Sequence, residues 1–440
     1  MELPLYVSEI IDKLNNDGYE AFVVGGCVRD SLLSKVPHDY DVTTNANPEQ
    51  IKKCFADYKT VDTGIRYGTV TVISHDEPIE VTAYRIDGEY SDNRRPESVL
   101  FTDNVSEDLK RRDFTINAMA FNPKIGLVDF FGGQSDLKNG IIKAIGSPAE
   151  RFNEDGLRIM RALRFASCYG FKIEEKTASA IHEYKNLLKN IAVERIAIEF
   201  NKLICGKCGD ILREFHDVFS VFVPEISECV GFEQHTKYHN RDVYEHIIAT
   251  IEAIEPKCYL RLAMFFHDIG KPQYFRLDEK GIGHFKGHPL GSRKIAENVL
   301  KRLKYDNETT KNVLDLVETH DIIIENKDKL IKRYLSRYGE KLMKDIVNVH
   351  IADDIGKSPD YQSRIKTYQA VLKRIDEILA EGECISIKNL AVNGNDIKKL
   401  GYTGPQISEV LNKLLDMVID EKCVNKKEVL ISEAQKWRCN

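Results

Sequence analysis

The chain has 440 residues, 42% of them hydrophobic and 30% charged. That is length for about two to four domains and the composition of a globular protein, not a disordered one. Sixty-three basic against sixty-nine acidic residues give a net charge of −6, which excludes a blanket of positive charge but not a local basic track. No run of about 18 apolar residues predicts a membrane span. The N-terminus lacks the basic region of a secretory signal, and ten scattered cysteines read as reduced thiols of a cytoplasmic protein.

In chain order, Ile10, Ile11 and Leu14 predict an opening amphipathic helix. AFVVGG (21–26) reads as a short strand ending in two glycines, after which Gly25-Gly26-Cys27-Val28-Arg29-Asp30 opens a helix. Glycines there let backbone N–H groups approach an anion, the helix N-terminus favours phosphate, and Arg29 adds a fork of donors. Asp39-Tyr40-Asp41 follows, leading into Val-Thr-Thr. In a strand, residues i and i+2 share a face, so the two carboxylates point the same way and can hold Mg²⁺ beside a nucleotide's phosphates. Asn47-Pro48-Glu49-Gln50 carries a capping box and predicts a helix start.

Residues 68–74 and 79–85 alternate and are rich in β-branched types, predicting neighbouring strands joined by a turn at Asp76–Pro78. Glu80 shares a strand face with Thr82 and Tyr84. It reads either as a third carboxylate completing a metal site or as an exposed strand residue. In Glu107–Ala118, Arg111 and Arg112 are candidates for clamping a triphosphate, with a solvated charged loop as the alternative.

Strand signals stop at about residue 148, and helical periodicity runs almost to the end. Glu154–Arg164 predicts one helix with acids in its first turn. Asp155, Arg158, Arg161 and Arg164 fall three apart, opposite Leu157, Met160 and Leu163. A carboxylate only accepts and a guanidinium only donates, so Asp155 and Arg158 one turn apart read either as a paired acceptor and donor edge or as an intrahelical ion pair.

Further on, Tyr244-Glu245-His246 opens a helix, and Leu262–Pro272 contains adjacent His267 and Asp268 at the end of an apolar helix. His288, His320 and Ala352-Asp353-Asp354 follow. Imidazoles and carboxylates on helices at such separations are ligand chemistry for a divalent cation that activates water. His288 and His320 read either as supports for a second metal or a substrate, or as surface histidines. Cys205-Gly-Lys-Cys208 is a lone C-x-x-C and reads as incidental.

Taken together, GGCVRD, HDYDVTT, RIDGEYSDNRRP, EDLKRRDFTINAMA, EDGLRIMRALRFAS and ERIAIEF resemble the successive motifs of bacterial class II tRNA nucleotidyltransferases, the CCA-adding enzymes, which share them with bacterial poly(A) polymerases. The resemblance is dense over the first ~205 residues and thinner beyond; Leu390–Glu421 resembles the C-terminal helical domain of many CCA-adding enzymes. It implies an α+β chain, in which a nucleotidyltransferase head with a small mixed sheet (1–147) precedes all-helical neck (148–208), body (209–360) and tail (361–440) domains. It implies two Mg²⁺ on Asp39 and Asp41, with Glu80 at the family's third acidic position. Phosphate contacts would come from Gly26, Arg29 and Arg112, and nucleotide contacts from Asp155, Arg158, Arg161 and Arg164.

The expected partners are the tRNA 3′ end, CTP and ATP. Arg85–Pro96 matches the family's flexible loop, present in members that add the terminal A. FFHDIGKP (265–272) resembles HD-superfamily metal-dependent phosphohydrolases, implying His246, His267, Asp268 and Asp353 as ligands of a divalent metal. The expected activity is template-independent CCA addition. A-only addition or poly(A) synthesis is the narrower alternative, and a phosphohydrolase with an inert head the distant one.

Overall fold

The apolar strand β1 (Ala21–Val24) is buried along its whole length because it lies inside a seven-stranded mixed sheet. The other strands are β2 (Asp41–Thr44), β3 (Lys59–Gly64), β4 (Thr69–Ser74), β5 (Glu77–Ala83), β8 (Met119–Asn122) and β9 (Gly126–Asp129), in the order β3-β4-β5-β2-β1-β8-β9. Two short strands between, β6 (Arg85–Asp87) and β7 (Val99–Phe101), pair as a separate ribbon. Within the seven-stranded sheet only β2 and β5 pair in parallel, and their register sets Asp41 directly beside Glu80. The computed structural model describes residues 1–88 and 97–438. It divides into two compact units, Met1–Ser227 and Glu228–Asn440. Most of the flexible-loop match, residues 89–96, lies outside the described residues.

The opening helix Leu5–Asn16 buries Val7, Ile10, Ile11 and Leu14. The expected capping box closes as predicted, Asn47 and Gln50 bonding each other's backbone N–H. On β5, Ile79, Val81 and Ala83 face the core and Glu80 is exposed.

Three local expectations are corrected. Strand β2 begins at Asp41, so Asp39 precedes it rather than sharing it; buried Tyr40 between two exposed carboxylates still keeps the alternation. The β4–β5 turn is His75-Asp76, both at positive φ (52° and 65°), the two-residue hairpin geometry that a search for Asn-Gly or Asp-Gly does not find. Pro78 instead lies within β5. The helix expected to start at Glu154 is two helices: Pro148–Glu154 ends there, Asp155 is extended (φ −139°, ψ 104°), and Leu157–Tyr169 begins anew. Strands also recur beyond residue 148 as two-residue pairs, Lys172–Ile173 against Ile141–Ile142 and Arg276–Leu277 against Gly283–His284.

The second unit is built on helices. Val243–Ala253 and Cys258–Phe266 bury most of their length, and His288–Arg302, Asn307–Thr319 and Asp328–Gly356 complete the group around them. Leu390, Ile397, Leu411, Leu414 and Leu430 form a separate apolar cluster in the last fifty residues. Among the described residues, no helix is long and apolar enough to cross a membrane.

Candidate active-site cleft and a buried His/Asp cluster

In the first unit, the end of β1, the start of β2 and the helix Leu157–Tyr169 surround a cleft of about 340 Å³. Gly25, Gly26, Arg29, Asp41, Arg111, Arg112, Asp155, Arg158 and Arg161 line it, so the structure joins residues far apart in sequence. Gly25 has φ +81°, and a Cβ there would come within 2.8 Å of Arg112 Nη1. Glycine therefore both makes the turn and lets a guanidinium lie against it. Arg29 is buried, its Nη1 donating to Asn117 Oδ1 at 2.5 Å and its Nε to Asp30 Oδ1 at 2.9 Å. It lies 5.1 Å from the Phe165 ring centroid.

The charged motif after β7 is organised by buried acids. Asp108 is fully buried, accepts from Arg111 Nε at 2.9 Å and from Thr43 Oγ1 at 3.1 Å, and lies 3.7 Å from Arg112 Nη2. Burial alone would raise its carboxyl, but Arg111 and Arg112 hold it below the ordinary value. Asp113 is likewise pushed down to about 2 against burial, by Arg161 and an Asn117 hydrogen bond; Arg161 Nε donates to it at 2.7 Å. Arg112 Nε and Arg195 Nη1 are buried with no hydrogen-bond partner. Unpaired buried donors in a cationic cleft suit an anionic ligand.

Asp41 keeps an exposed surface but sits at the cleft floor among protein atoms, and this partial loss of solvent is the first cause that raises its carboxyl to about 6; Arg112 opposes the rise, while Glu80 and Asp39 add to it. Asp41 and Glu80, side by side on β2 and β5, with Asp39 just before them, offer oxygen-only donors of the kind a hard divalent metal takes. The arginines of the predicted stripe are engaged. Arg158 donates to Glu154 Oε2 at 2.5 Å and to the carbonyls of Arg151 and Arg111 at 3.1 Å. Asp155 accepts from Arg195 Nη2 at 3.1 Å, and Arg164 pairs with Glu199 at 2.8 Å, outside the cleft lining. Asp108, Asp113, Asn117 and Arg195 carry no role in the sequence reading, although each lies inside a quoted motif. Their spacing signals nothing until the fold shows which acid holds which arginine.

The second unit gathers all six ligand candidates. His246, His267, Asp268 and Asp353 form one group, and Asp268, His288 and His320 another, with the ligand atoms of each within 4.8 Å of one another. His288 and His320 are buried, which removes the surface-histidine alternative. His246 Nε2 lies 3.0 Å from Asp353 Oδ1 and 3.2 Å from Asp268 Oδ2. Against burial, His267 and Lys271 hold Asp268 well below the usual carboxylate range, and Lys357 and His246 do the same for Asp353. Cys205 and Cys208 belong to neither group.

A mixed sheet with neighbouring carboxylates, a Gly-Gly turn and an arginine-lined cleft is the make-up of a nucleotidyltransferase. Comparison extends this over the chain. Residues 21–143 match the poly A polymerase head domain, 170–229 the RNA and SrmB-binding site of polymerase A, and 289–434 the tRNA nucleotidyltransferase domain 2. A CCA-adding enzyme of Pediococcus pentosaceus is 34% identical over 430 residues, covering 97% of this chain and 96% of that protein. One of Enterococcus faecalis is 53% identical over 197 residues, 45% of this chain and 48% of its own. The crystal structure of the Bacillus stearothermophilus CCA-adding enzyme in complex with CTP superposes with a TM-score of 0.74 at 26% identity, covering 100% of this chain and 98% of that one. The chain belongs to the family of CCA-adding enzymes.

Proposed function

We propose that this protein builds and repairs the 3′-terminal CCA of tRNA from CTP and ATP, releasing pyrophosphate. The observation that carries the reading is the single cleft in which the Asp41 carboxylate, the Gly25-Gly26 turn and Asp155 with Arg158 meet, in a chain that matches a CCA-adding relative over nearly its full length. The RNA 3′-hydroxyl attacks the α-phosphorus, and the bond to pyrophosphate breaks. Asp39 and Asp41, with Glu80 alongside, would hold two Mg²⁺, which lower the hydroxyl's pKa and neutralise triphosphate charge. Gly26 N–H, Arg29 and Arg112, all of which line the cleft, seat the phosphates. Asp155 and Arg158 read the base edge and Arg161, which also lines the cleft, contacts the nucleotide beside them, whereas Arg164, expected to do the same, pairs with Glu199 outside the lining and holds the helix in place.

The head (1–147), neck (148–208), body (209–360) and tail (361–440) divide the labour between chemistry and tRNA binding, in the cytoplasm. The test supplies CTP and ATP, singly and together, to tRNA ending at the discriminator base and to tRNA ending in CC. Extension of the first by C, C and A is the expected result. Extension of the CC-ended substrate alone would establish the A-adding alternative instead.

A second activity is favoured by the His246–His267–Asp268–Asp353 group. These residues would hold a divalent cation that activates water against cyclic phosphates or phosphomonoesters. A cavity of about 510 Å³ lies alongside, lined by Gln234, His239 and Arg241, and the His239 ring packs edge-on against His246 at 4.6 Å. Gln234 also accepts from Lys271, whose Nζ reaches Asp268 at 2.6 Å, so Lys271 links the cavity wall to the ligand group.

A further inference from the structure

We infer that Phe165 and Tyr169, one turn apart on the helix Leu157–Tyr169, are positioning residues for nucleotide binding, their ring faces holding the Arg29 guanidinium in place. The inference rests on the reading of Arg29 as a residue that seats the phosphates. The Arg29 guanidinium carbon lies 5.1 Å from the Phe165 ring centroid and 5.0 Å from that of Tyr169, within the range of attraction between a cation and a ring face. Arg29 and Phe165 are both buried, and both line the cleft. The hydrogen bonds of Arg29 do not by themselves hold it there. Its Nε and Nη2 donate to Asp30 at 2.9 and 3.0 Å, but Asp30 follows Arg29 on the same short helix, Gly26–Leu32, and moves with it. Asn117 takes one further N–H, at Nη1. The two rings come from another element, the helix that also carries Arg158 and Arg161, so they fix the phosphate-seating cation relative to the groups that read the base. Each terminal nitrogen keeps one N–H without an acceptor among the described residues. Nη2 lies beside the Gly25-Gly26 turn, 3.5 Å from where a Gly26 Cβ would stand.

The arrangement uses the rings as rings, not only as apolar bulk. Tyr169 grips both halves of the Arg29–Asp30 pair, its face on the cation and its hydroxyl donating to Asp30 Oδ1 at 2.9 Å. Phe165 faces two more guanidiniums, Arg164 at 3.9 Å and Arg161 at 5.4 Å from its centroid. Arg29, Arg164 and Arg161 each have an acid of their own, Asp30, Glu199 and Asp113 in turn, so the ring is not there to balance charge. It supplies an electron-rich surface to all three cations, where an aliphatic side chain would supply none. Phe165 is itself held in angle by Phe114, edge-on at 5.9 Å and 82°, and by Tyr169, near-parallel at 6.1 Å and 16°. A ring so fixed orders the guanidiniums against it, and Arg29 is the one whose remaining N–H groups face the triphosphate.

The experiment replaces Phe165 in the full chain by mono-, di- and trifluorophenylalanine, which keep the ring's shape and drain the electron density of its face. CTP incorporation into tRNA ending at the discriminator base and ATP incorporation into tRNA ending in CC are measured, with the melting midpoint as a check on the fold. KM for both triphosphates should rise stepwise with fluorination, to about tenfold in the trifluoro protein, while kcat stays within about twofold. Tyr169→Phe keeps the ring and loses only the Asp30 bond, and should raise KM about threefold. Arg29→Ala should raise KM by about a hundredfold, and in that background fluorination should have no further effect. A flat KM across the fluorinated series, with Arg29→Ala still impaired, would overturn the inference and leave Arg29 on the phosphates. A stepwise rise that persists in Arg29→Ala would overturn it too, since the ring would then act through another group. An unchanged KM in Arg29→Ala would overturn both the phosphate role and the inference built on it.

Discussion

The cleft of the first unit and the cluster of the second both gather carboxylates at the ends of regular elements, yet they solve opposite problems. At the cleft and the sheet edge beside it, Asp39, Asp41 and Glu80 are exposed oxygen donors, and the buried acids Asp108 and Asp113 tie down the half-buried arginines Arg111 and Arg161. In the cluster, the ligands themselves are buried, and lysines lie against them, Lys271 on Asp268 and Lys357 on Asp353 at 2.6 Å each. An open, oxygen-only site suits a cation that arrives with its nucleotide and leaves with pyrophosphate. A closed site of imidazoles and carboxylates suits a resident cation of a softer kind. The lesson is that ligand type and burial together separate a substrate-borne metal from a structural or hydrolytic one.

The largest expected effects separate the two sites. Asp41→Ala should lower CMP and AMP incorporation by on the order of a thousandfold or more, equivalent to at least ~4 kcal/mol of transition-state stabilisation, and leave the metal content of the second unit unchanged. Near wild-type incorporation by steady-state assay would remove Asp41 from the chemistry. The reciprocal variant, His267→Ala with Asp268→Ala, should abolish hydrolysis of model phosphomonoesters and cyclic phosphates while CCA addition stays within about twofold. Hydrolysis that survives in this variant would place that activity elsewhere.

Next is the acid that fixes the cleft's cations. Asp113 accepts from Arg161, from Asn117 and from the Phe114 N–H. Asp113→Ala removes a buried acceptor of three hydrogen bonds and leaves the part-exposed Arg161 without its partner, which should cost about 1–3 kcal/mol of stability in the first unit, read as a lowered denaturation midpoint. The native carboxyl lies at about 2, below its ordinary 3.8. A group depressed on folding contributes stability above its unfolded value and loses it as pH falls toward its folded one. Asp113 thus supplies about 2 kcal/mol at neutral pH, which is lost between about pH 4 and pH 2. Asp113→Asn should flatten that part of the pH–stability curve; an unchanged acid limb would show that this carboxylate is not the group titrating there.

The two regions were also unequally legible in sequence. Asp41 and Glu80 could be named as partners, but only the parallel β2–β5 register shows that they are direct neighbours. The cluster's six candidate ligands were all visible as residue types, because His and His-Asp on apolar helices are conspicuous; the burial of His288 and His320 and the place of Asp268 between two histidine pairs are tertiary facts. The break at Asp155 went unseen because Glu154-Asp155 reads equally well as an acidic first helical turn, and the Gly156 that follows permits either conformation. The holding pairs Asp108–Arg111, Asp113–Arg161 and Asp155–Arg195 join an acid to an arginine that pattern alone cannot choose among many.

The smallest expected effect is the most specific, and it concerns base choice in the cleft. Asp155 and Arg158 are not an intrahelical ion pair: Arg158 is bonded to Glu154 and two carbonyls, and Asp155 to Arg195. Each group therefore has its direction set by the protein before a base arrives. A carboxylate can accept again and a guanidinium has further N–H groups to donate, so together they still offer an edge matching C and A. Against G or U, each would meet its own kind, at about 1–3 kcal/mol per unsatisfied buried group. Asp155→Ala and Arg158→Ala should each lower CTP and ATP use and erode discrimination against UTP and GTP by roughly a hundredfold. Arg195→Ala removes only the partner that orients Asp155, so it should reduce discrimination by about tenfold and leave binding of the triphosphate nearly intact, since Asp41, Arg29 and Arg112 are untouched. Incorporation kinetics with all four nucleotides decide the matter. Full discrimination retained in Asp155→Ala and Arg158→Ala would mean that neither group reads the base, and a loss in Arg195→Ala as large as theirs would mean that Arg195 contacts the nucleotide itself rather than acting through Asp155.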